Sequence, residues 1–535
     1  MAEQMNQVKG NHFIAGVESR AGSRFFTGAD PRTKEAGQTQ FANATAAEID
    51  RAVQAASVAF EQTRHFSPSQ LADFLDAIAE EIDALGENLL LTADSETGLG
   101  IPRLTGERGR TTGQLRKFGE LLREGSYVEA IIDSAQSQRQ PTPRPAIRRM
   151  LKPLGPVAVF SASNFPFAFS VAGGDTASAF AAGCPVIVKA HPGHPATSEL
   201  VAHAINRAIV RLGFPAGFFS LLQGDTIEVG QTLVTHPGVA AVGFTGSLRA
   251  GRAIFDAAAA RPTPIPVYAE MGSTNPVVIL PGVLAADGPG LVTNLVGSLT
   301  LGSGQFCTNP GLIFVVAGDE AEKFIAEVAK RMAAEKPGVL LNAQIETGLA
   351  RTVATTLGEA EIELLTGGHE VSGSGFCFSN TVLRTSATAF AANPNLQTEH
   401  FGPVTLFVVA PSVADLLAAL AALHGNLTGT IHAADSEHAL AAQVMTCLDE
   451  KVGRLLWNGF PTGVEVCYAM QHGGPYPATT APATTSVGMT AIKRFLRPVA
   501  YQNVPDHLLP PALQEANPLH IWRIVDDEWT QDPLP

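Results

Sequence analysis

Five short apolar runs lie close together in the middle of the chain: VAVF (157–160), PVIVK (185–189), FFSLL (218–222), VAAVGF (239–244) and PVYA (266–269). Longer stretches between them are each able to form a helix, namely Thr176–Ala182, Thr197–Leu212, Thr226–Thr235 and Ser247–Ala260. Strands that alternate with helices are typical of a doubly wound parallel sheet. Such a sheet binds its ligands at the carboxyl ends of the strands.

The regions around this core give a coarser picture. Apolar residues at helical spacing predict two amphipathic helices over Ala46–Leu91, and a polar connection follows at Ser134–Arg144. After Pro276 a second alternating α/β region extends to about Met470. The tail Leu508–Pro535 is rich in Pro and acidic residues, but it keeps Leu, Ile and Trp side chains, which favours a docked tail over a free one.

The composition excludes several classes of protein. The chain has 535 residues with a formal charge of −14, 45 % apolar residues and 16 % charged residues, which is typical of a globular protein with a large core. An acidic chain without a basic tract does not favour binding to nucleic acid or to anionic lipid. The amino terminus MAEQMNQVKGNHF lacks the layout of a secretory signal, so we expect a cytoplasmic protein. The uncharged stretch 288–318 is broken by Gly, Ser, Asn and Pro, which fits a buried active-site segment better than a membrane helix.

One cysteine stands out among five scattered ones that form no CxxC pair. Cys307 follows flexible glycines in GSGQFCTN (302–309) and precedes an apolar run, a place where a thiolate could attack a carbonyl carbon. Most lone cysteines are inert core residues, and the other four are interpreted in that way. The scatter indicates neither a disulfide framework nor a structural zinc site.

Two glutamates are candidate bases. Glu270 ends a predicted buried strand, where desolvation should raise its pKa and suit it to general-base catalysis. Glu399 precedes a Phe-Gly-Pro turn in QTEHFGP (397–403). Each could equally be a structural carboxylate with a charged partner.

The predicted sheet lacks the usual dinucleotide fingerprint, since no GxGxxG follows its first strand. Its second strand ends with Lys189 and His191, which would tolerate a 2′-phosphate, although Lys189 could merely cap the strand. Thr245-Gly246-Ser247 opens a helix whose free amides could receive a phosphate. His191 and His194 have ligand-like spacing, but no companion ligand is evident, so no metal site is expected.

Taken together, six motifs resemble the aldehyde dehydrogenase superfamily in order and spacing. They are NFP (164–166), VK (188–189), FTGS (244–247), EMG (270–272), GQFC (304–307) and EHFGP (399–403). Other segments look like the branch of α-ketoglutaric semialdehyde dehydrogenases, which act on 2,5-dioxopentanoate. These are 110–115, 162–166, 173–178, 189–195 and the carboxyl-terminal extension 508–519.

The resemblance implies a catalytic mechanism. Cys307 would attack the aldehyde carbon, and the Asn164 amide with the Cys307 backbone N–H would hold the oxyanion. Glu270 would activate the water that hydrolyses the resulting thioester. A dicarbonyl substrate that ends in a carboxylate needs a cation in the pocket, for which Arg110 is the candidate, with Phe165 beside the substrate. An exposed arginine on a charged helix face is an equally good interpretation of Arg110.

The resemblance also implies a nicotinamide cofactor. Its site would consist of Lys189, His191, Gly224, Thr245, Gly246, Ser247, Glu399 and Phe401. Lys189 and Glu399 would face the two riboses, Phe401 the nicotinamide, and Gly246 and Ser247 the pyrophosphate. Pro192 stands where many NAD-preferring members have Glu, which favours NADP over NAD.

The implied fold is α/β: a doubly wound cofactor domain, an α/β catalytic domain and a small oligomerisation element. The expected boundaries are 1–133 with 153–274 for the cofactor domain, 275–470 for the catalytic domain, 134–152 with 495–507 for the oligomerisation element, and 508–535 for the extension. A homodimer or homotetramer is expected. The alternatives are the same chemistry on aliphatic or aromatic aldehydes, a cysteine hydrolase or thioesterase that needs a histidine base, and a non-catalytic protein with this fold.

Overall fold

The structure, a computed structural model, describes residues 7–373 and 375–534, so residues 1–6 of the amino-terminal stretch MAEQMNQVKGNHF lie outside them. The strands are β1 (His12–Ile14), β2 (Val17–Ser19), β3 (Phe25–Phe26), β4 (Phe41–Ala42), β5 (Ile131–Asp133), β6 (Ile147–Pro153), β7 (Val157–Phe160), β8 (Val186–Lys189), β9 (Phe219–Leu222), β10 (Ala241–Thr245), β11 (Val267–Glu270), β12 (Val277–Ile279), β13 (Leu312–Val316), β14 (Glu363–Thr366), β15 (Thr381–Ser386), β16 (Val404–Ala410), β17 (Asn426–His432), β18 (Val452–Trp457), β19 (Leu496–Gln502), β20 (Arg523–Val525) and β21 (Glu528–Thr530). The helices are α1 (Ala46–Thr63), α2 (Pro68–Asp83), α3 (Gly86–Thr97), α4 (Ile101–Glu124), α5 (Gly174–Ala181), α6 (Pro195–Leu212), α7 (Ile227–Thr235), α8 (Leu248–Ala259), α9 (Pro281–Thr300), α10 (Asp319–Ala334), α11 (Ala343–Leu357), α12 (Ala387–Ala392), α13 (Val413–Ala421) and α14 (His438–Asp449).

The first sheet has seven strands in the order β11-β10-β7-β8-β9-β1-β2. The five strands from β7 to β11 are parallel, and β1 adds to β9 in antiparallel fashion. From β7 the chain winds first toward β9 and then, on the other side, toward β11. The order therefore reverses between β7 and β10, which is where a doubly wound sheet leaves a crevice for a ligand.

Small side chains allow the helices to pack closely on this sheet. All four residues of β7 and all eight of α5 are buried, and α5 reads GDTASAFA. A helix that is buried on every side must approach its neighbours closely, which Gly, Ala and Ser permit. The predicted doubly wound α/β fold is confirmed.

The second sheet also has seven strands, in the order β14-β15-β16-β13-β12-β17-β18. All its neighbours pair in parallel except β14 with β15. Helix α9 leads from this sheet into a 3₁₀ turn, Leu301–Gly304, immediately before Cys307. The predicted second α/β region and its candidate nucleophile thus belong to one layered unit.

The third sheet has five strands in the order β19-β6-β5-β20-β21. Strands β20 and β21 come from the tail, and β20 pairs in parallel with β5. Leu509, Leu513 and Ile521 are buried in a small apolar cluster with Ile132. The tail is docked, as its apolar residues predict, whereas the four domain boundaries and the oligomerisation role stay predictions.

The amino-terminal helices differ from the expectation. Three helices, α1, α2 and α3, occupy the stretch where two were predicted. Helices α1 and α2 each begin with a capping box. Thr45 pairs with Glu48 in α1, and Ser67, the residue before Pro68, pairs with Gln70 in α2. Such caps end one periodic segment and start the next, which periodicity alone does not show. Within the described ranges, every helix is too short or too polar to cross a bilayer.

Candidate active site

The loop that carries Cys307 is held from two directions. Gly304 adopts a φ of 66°, and a Cβ at this position would collide with the carbonyl oxygen of Gly402. On the other side, Asn275 Nδ2 donates hydrogen bonds to the carbonyl oxygens of Cys307 at 2.8 Å and Asn309 at 2.9 Å. Both contacts hold the backbone of the loop that carries the thiol.

The Cys307 thiol lies in a group of four polar side chains, which we call the catalytic cluster: Cys307, Glu270, His472 and Ser486. His472 Nε2 is 3.4 Å from Cys307 Sγ and 3.0 Å from Glu270 Oε1. Ser486 donates a hydrogen bond to the second oxygen of Glu270 at 2.6 Å. Glu270 ends β11, and both Glu270 and His472 are buried. The predicted nucleophile and the predicted base therefore meet, with a histidine between them.

The cluster sets the ionisation of its members. Burial raises the pKa of the Cys307 thiol well above its usual value, and the negative charge of Glu270 adds to this effect. Burial also raises the pKa of Glu270, but His472, Ser486 and the thiol outweigh it, and the net pKa is lowered. The expectation of a raised pKa at Glu270 is therefore wrong, because the charge of His472 and the hydrogen bonds to the carboxylate lower the pKa by more than desolvation raises it. At neutral pH a carboxylate faces a thiol.

Asn164 lies beside the nucleophile loop. Its Nδ2 donates a hydrogen bond to the carbonyl oxygen of Gln305 at 3.0 Å, two residues before Cys307. Arg103 donates to the carbonyl oxygen of Asn164 at 2.8 Å, which fixes the Asn164 backbone. A carboxamide has two N–H bonds, so one remains for a substrate oxygen.

A second polar region, the strand-end site, lies where the first sheet reverses its strand order. It consists of Ser161, Lys189, Thr245 and Ser247. Ser161 Oγ and Thr245 Oγ1 are buried without a hydrogen-bond partner among the described residues. Ser247 caps α8 by accepting a hydrogen bond from Ala250, and Gly246 beside it is exposed. Buried hydroxyls without partners and an open helix start fit a phosphate-bearing ligand.

Strand β8 ends with Lys189, a cation, and His191 follows it at the same end of the sheet. Burial lowers the pKa of Lys189 to about 8 against the opposing charge of Asp225. Burial also lowers the pKa of His191 well below its usual value, so this imidazole is neutral. Gly224 is buried, and a Cβ there would come within 2.9 Å of Val229. The positive charge at this strand end comes from Lys189.

Glu399 and Phe401 approach from the second sheet. Burial raises the pKa of Glu399 to about 7, although its Oε1 accepts a hydrogen bond from the Ser273 amide at 3.3 Å. A Cβ on Gly272 would lie 2.6 Å from Glu399 Oε2, so this glycine allows the carboxylate to reach the end of β11. Phe401 is half-buried two residues further on.

Comparison with known proteins decides the family. The model of the aldehyde dehydrogenase family matches residues 17–475. The chain belongs to the aldehyde dehydrogenase family. It is 50 % identical over 489 residues to alpha-ketoglutaric semialdehyde dehydrogenase 2 of Azospirillum brasilense, with 91 % of this chain and 92 % of that protein covered. It is 44 % identical over 528 residues to alpha-ketoglutaric semialdehyde dehydrogenase of Acinetobacter baylyi, with 99 % and 100 % covered.

Solved structures agree on the fold of this aldehyde dehydrogenase. A crystal structure of betaine aldehyde dehydrogenase from Staphylococcus aureus in complex with NAD+ superimposes with a TM-score of 0.80 at 21 % identity and covers 94 % of this chain and 97 % of that one. PnpE from Pseudomonas sp. WBC-3 gives a TM-score of 0.77 at 21 % identity, with 94 % and 99 % covered. The predicted aldehyde dehydrogenase-like fold is confirmed.

The two residues predicted to bind substrate lie near the cluster on neighbouring elements. Arg110, on α4, is half-buried with its guanidinium over the Phe169 ring at 5.2 Å. Burial lowers its pKa, while the nearby negative charges of Glu107, Cys307 and Glu270 oppose that effect. It is therefore not the exposed arginine of the alternative interpretation. The Phe165 ring packs edge-on against Phe306 at 5.4 Å, next to the nucleophile.

Sequence reasoning missed three residues of this site. His472 follows Cys307 by 165 positions and stands alone in QHGGP (471–475), so no local pattern indicates it. Ser486 and Asn275 are equally isolated. The one available signal was indirect, because a cysteine nucleophile commonly needs a histidine beside it. The rival hydrolase interpretation asked for such a histidine, and the structure supplies one, but the family match decides for the dehydrogenase.

Proposed function

We propose that this aldehyde dehydrogenase oxidises 2,5-dioxopentanoate to 2-oxoglutarate with NADP or NAD. The observation that carries the proposal is the meeting of Cys307, Glu270 and a half-buried arginine, Arg110, around one loop. Two relatives named for α-ketoglutaric semialdehyde, aligned over nine-tenths of the chain or more, support the choice of substrate.

The carbon chemistry begins at Cys307. Its sulfur adds to the aldehyde carbon and forms a thiohemiacetal whose oxygen carries the developing charge. The free N–H of Asn164 and the backbone N–H of Cys307 are the donors for this oxygen. A preorganised donor of this kind contributes about 3 to 4 kcal/mol to the transition state. Since the Cys307 loop is fixed by Asn275, these donors need no rearrangement.

The proton chemistry belongs to Glu270 and His472 as a pair. The thiol must lose its proton before it attacks, and its pKa in the free protein is high. His472 Nε2 faces both the sulfur and the carboxylate, so the proton passes to this coupled pair and the N–H then stabilises the thiolate. The pair then releases this proton to solvent, and after oxidation it takes a proton from the water that hydrolyses the thioester.

The strand-end site holds the cofactor in this proposal. Ser161, Thr245 and the start of α8 would bind the phosphates, and Glu399 would accept hydrogen bonds from a ribose. Lys189, which lies next to the neutral His191, would bind a 2′-phosphate through its positive charge. This charge supports NADP over NAD. When bound, this cofactor takes up the hydride that leaves the substrate carbon. The cluster itself needs no metal for the reaction.

The distal end of the substrate is bound by Arg110. Its charge lies in a half-buried position where a carboxylate can pair with it and still leave room at the sulfur. The ring of Phe169 holds the guanidinium from one side. Aliphatic or aromatic aldehydes gain nothing from this charge.

A homodimer or homotetramer is also part of the proposal. The third sheet ends in β19 on one side and β21 on the other, and both are edge strands of the described chain. Exposed edges are commonly covered by another copy of the chain. Gel filtration with light scattering measures the assembly directly, and a monomer would contradict this part.

Initial rates of reduced-cofactor formation test the function. The substrates are 2,5-dioxopentanoate, succinic semialdehyde and hexanal, each with NADP and with NAD, and Cys307→Ala is the control. We expect a preference for 2,5-dioxopentanoate that disappears in the variant. Good rates with hexanal alone would keep the dehydrogenase and refute the substrate. Absence of reduction with every pair would refute the dehydrogenase assignment and reopen the hydrolase interpretation.

A further inference from the structure

Three metal-binding atoms of the catalytic cluster converge on one point. Cys307 Sγ, His472 Nε2 and one carboxylate oxygen of Glu270 all lie within 4.8 Å of one another. The sulfur is 3.4 Å from Nε2, and Nε2 is 3.0 Å from Glu270 Oε1. One nitrogen therefore faces both other ligand atoms.

These separations are close to those of a tetrahedral zinc site. With ordinary zinc bond lengths, tetrahedral ligands are about 3.5 Å apart for sulfur and nitrogen and about 3.4 Å for nitrogen and oxygen. The ligand atoms need to move by only a few tenths of an ångström along the two measured separations. A tetrahedral set of sulfur, nitrogen and oxygen ligands selects zinc over magnesium or calcium, which require several oxygens.

We propose that Cys307, His472 and Glu270 form a Zn²⁺ site that inhibits the enzyme by capturing its nucleophile. One Zn–S bond forms as the thiol proton leaves to solvent, and no atom changes its oxidation state. A thiolate and a carboxylate together balance the two positive charges of the ion. The fourth position takes water, as in other three-ligand zinc sites.

The surroundings of the three ligands favour this site. Ser486 fixes the second Glu270 oxygen, and the His472 backbone N–H is held by Thr485 Oγ1 at 2.8 Å, so two ligands are oriented by outer contacts. His472 Nδ1 has no partner among residues 7–373 and 375–534, and it can carry the ring proton while Nε2 binds metal. Cys307 is only half-buried, which leaves a path for the ion from the substrate side.

The two other histidines with ligand-like spacing do not form such a site. His194 Nε2 contacts the carbonyl oxygen of Ala162 at 2.9 Å, and His191 Nδ1 accepts a hydrogen bond from the Gly193 amide at 3.0 Å. At least one ring nitrogen of each histidine is thus hydrogen-bonded within the fold.

Protection of Cys307 from alkylation tests the site without any substrate. The protein is treated with iodoacetamide with and without Zn²⁺, and each of the five cysteines is quantified by peptide mass spectrometry. We expect Zn²⁺ to protect Cys307 and EDTA to restore its labelling. The other four cysteines serve as internal controls. Equal labelling of Cys307 with and without Zn²⁺ would overturn the proposal.

Two variants separate this site from adventitious binding. His472→Ala should raise the Kd for Zn²⁺ by at least about 100-fold, since even the loss of an outer contact weakens metal sites about 10- to 100-fold. The matched control is His438→Ala, because His438 is an exposed histidine with its Nε2 3.9 Å from Asp435 Oδ1. Equal effects of both substitutions, or none, would refute the site.

Cobalt binding can be measured by absorption spectroscopy on the unmodified protein, whose fold no substitution has altered. Co²⁺ added to the unmodified protein should give a thiolate-to-metal charge-transfer band, and Cys307→Ala should abolish it. A band that persists in Cys307→Ala would assign the metal to another cysteine and refute the proposal. Binding depends only on the three ligand atoms, so it can succeed even if the proposed substrate is wrong.

Discussion

The catalytic cluster and the strand-end site are both polar and largely buried, but they satisfy their polar atoms differently. In the cluster, Glu270 uses both oxygens on His472 and Ser486. In the strand-end site, the hydroxyls of Ser161 and Thr245 have no partner among the described residues. The cluster is thus assembled by the fold, whereas under the proposed function the strand-end hydroxyls would gain their hydrogen bonds from the cofactor. Substitutions in the first should therefore affect rates, and substitutions in the second should affect affinity.

His472→Gln should break the cluster and give the largest effect. We expect kcat to fall about 100- to 10,000-fold, as for the loss of an acid–base group. Alkylation of Cys307 by iodoacetamide should become slower and shift to higher pH, while the Kd of NADP changes little. His438→Gln is the surface control. An unchanged pH profile of alkylation would mean that His472 only fills space.

Arg110→Ala tests whether the arginine near the catalytic cluster binds the carboxylate of the substrate. The KM for 2,5-dioxopentanoate should rise about 10- to 100-fold, which is the effect of losing a hydrogen bond to a charged group. The KM for hexanal should hardly change. Arg116→Ala on the same helix is the matched control, because Arg116 pairs with Asp83 at the surface. Equal changes for both aldehydes would remove the carboxylate role.

Lys189→Gln tests the strand-end site. We expect the Kd of NADP to rise about tenfold more than that of NAD, because only NADP offers a 2′-phosphate to this charge. Isothermal titration measures both constants, and Lys330→Gln removes a surface charge for comparison. Equal losses for the two cofactors would show that Lys189 does not read the phosphate.

The pKa of Glu399 predicts a smaller effect of pH on the affinity for the cofactor. Its carboxyl has a pKa of about 7, so it is protonated below that pH and ionised above it. The ionised form accepts hydrogen bonds from a ribose better, and NAD, which has no 2′-phosphate for Lys189 to bind, should therefore bind a few-fold more tightly at pH 8 than at pH 6. Glu399→Gln should flatten this trend. A trend that persists in the variant would assign it to another group.

Much of the fold and part of the site could be read from the sequence, for physical reasons that differ by residue. The runs at 157–160 and 185–189 are local and apolar, so they indicate strands of a parallel sheet without further information. Cys307 stands out through its glycine-rich context. His472 does not, because its role depends on a fold that brings positions 165 residues apart within 3.4 Å.

Electrostatics was the least predictable property of the site. The sequence predicts that Glu270 is a buried carboxyl, and burial by itself raises the pKa of a carboxyl group. Its two hydrogen-bond partners lie 202 and 216 residues further along the chain, and they reverse the direction of the shift. A titration property that depends on such distant contacts cannot be obtained from neighbours in sequence.

The docked tail has a consequence for biosynthesis. Strand β5 is completed by β20, and the amide of Ser134 is bonded to Asp526, 392 residues later in the chain. A ribosome that has made Ser134 must therefore add 392 more residues before this contact of the third sheet can form. The two large sheets can form earlier in translation, whereas the small one waits until β20 has been made. Deleting the last dozen residues should leave β5 with an open edge in a molecule that is otherwise folded.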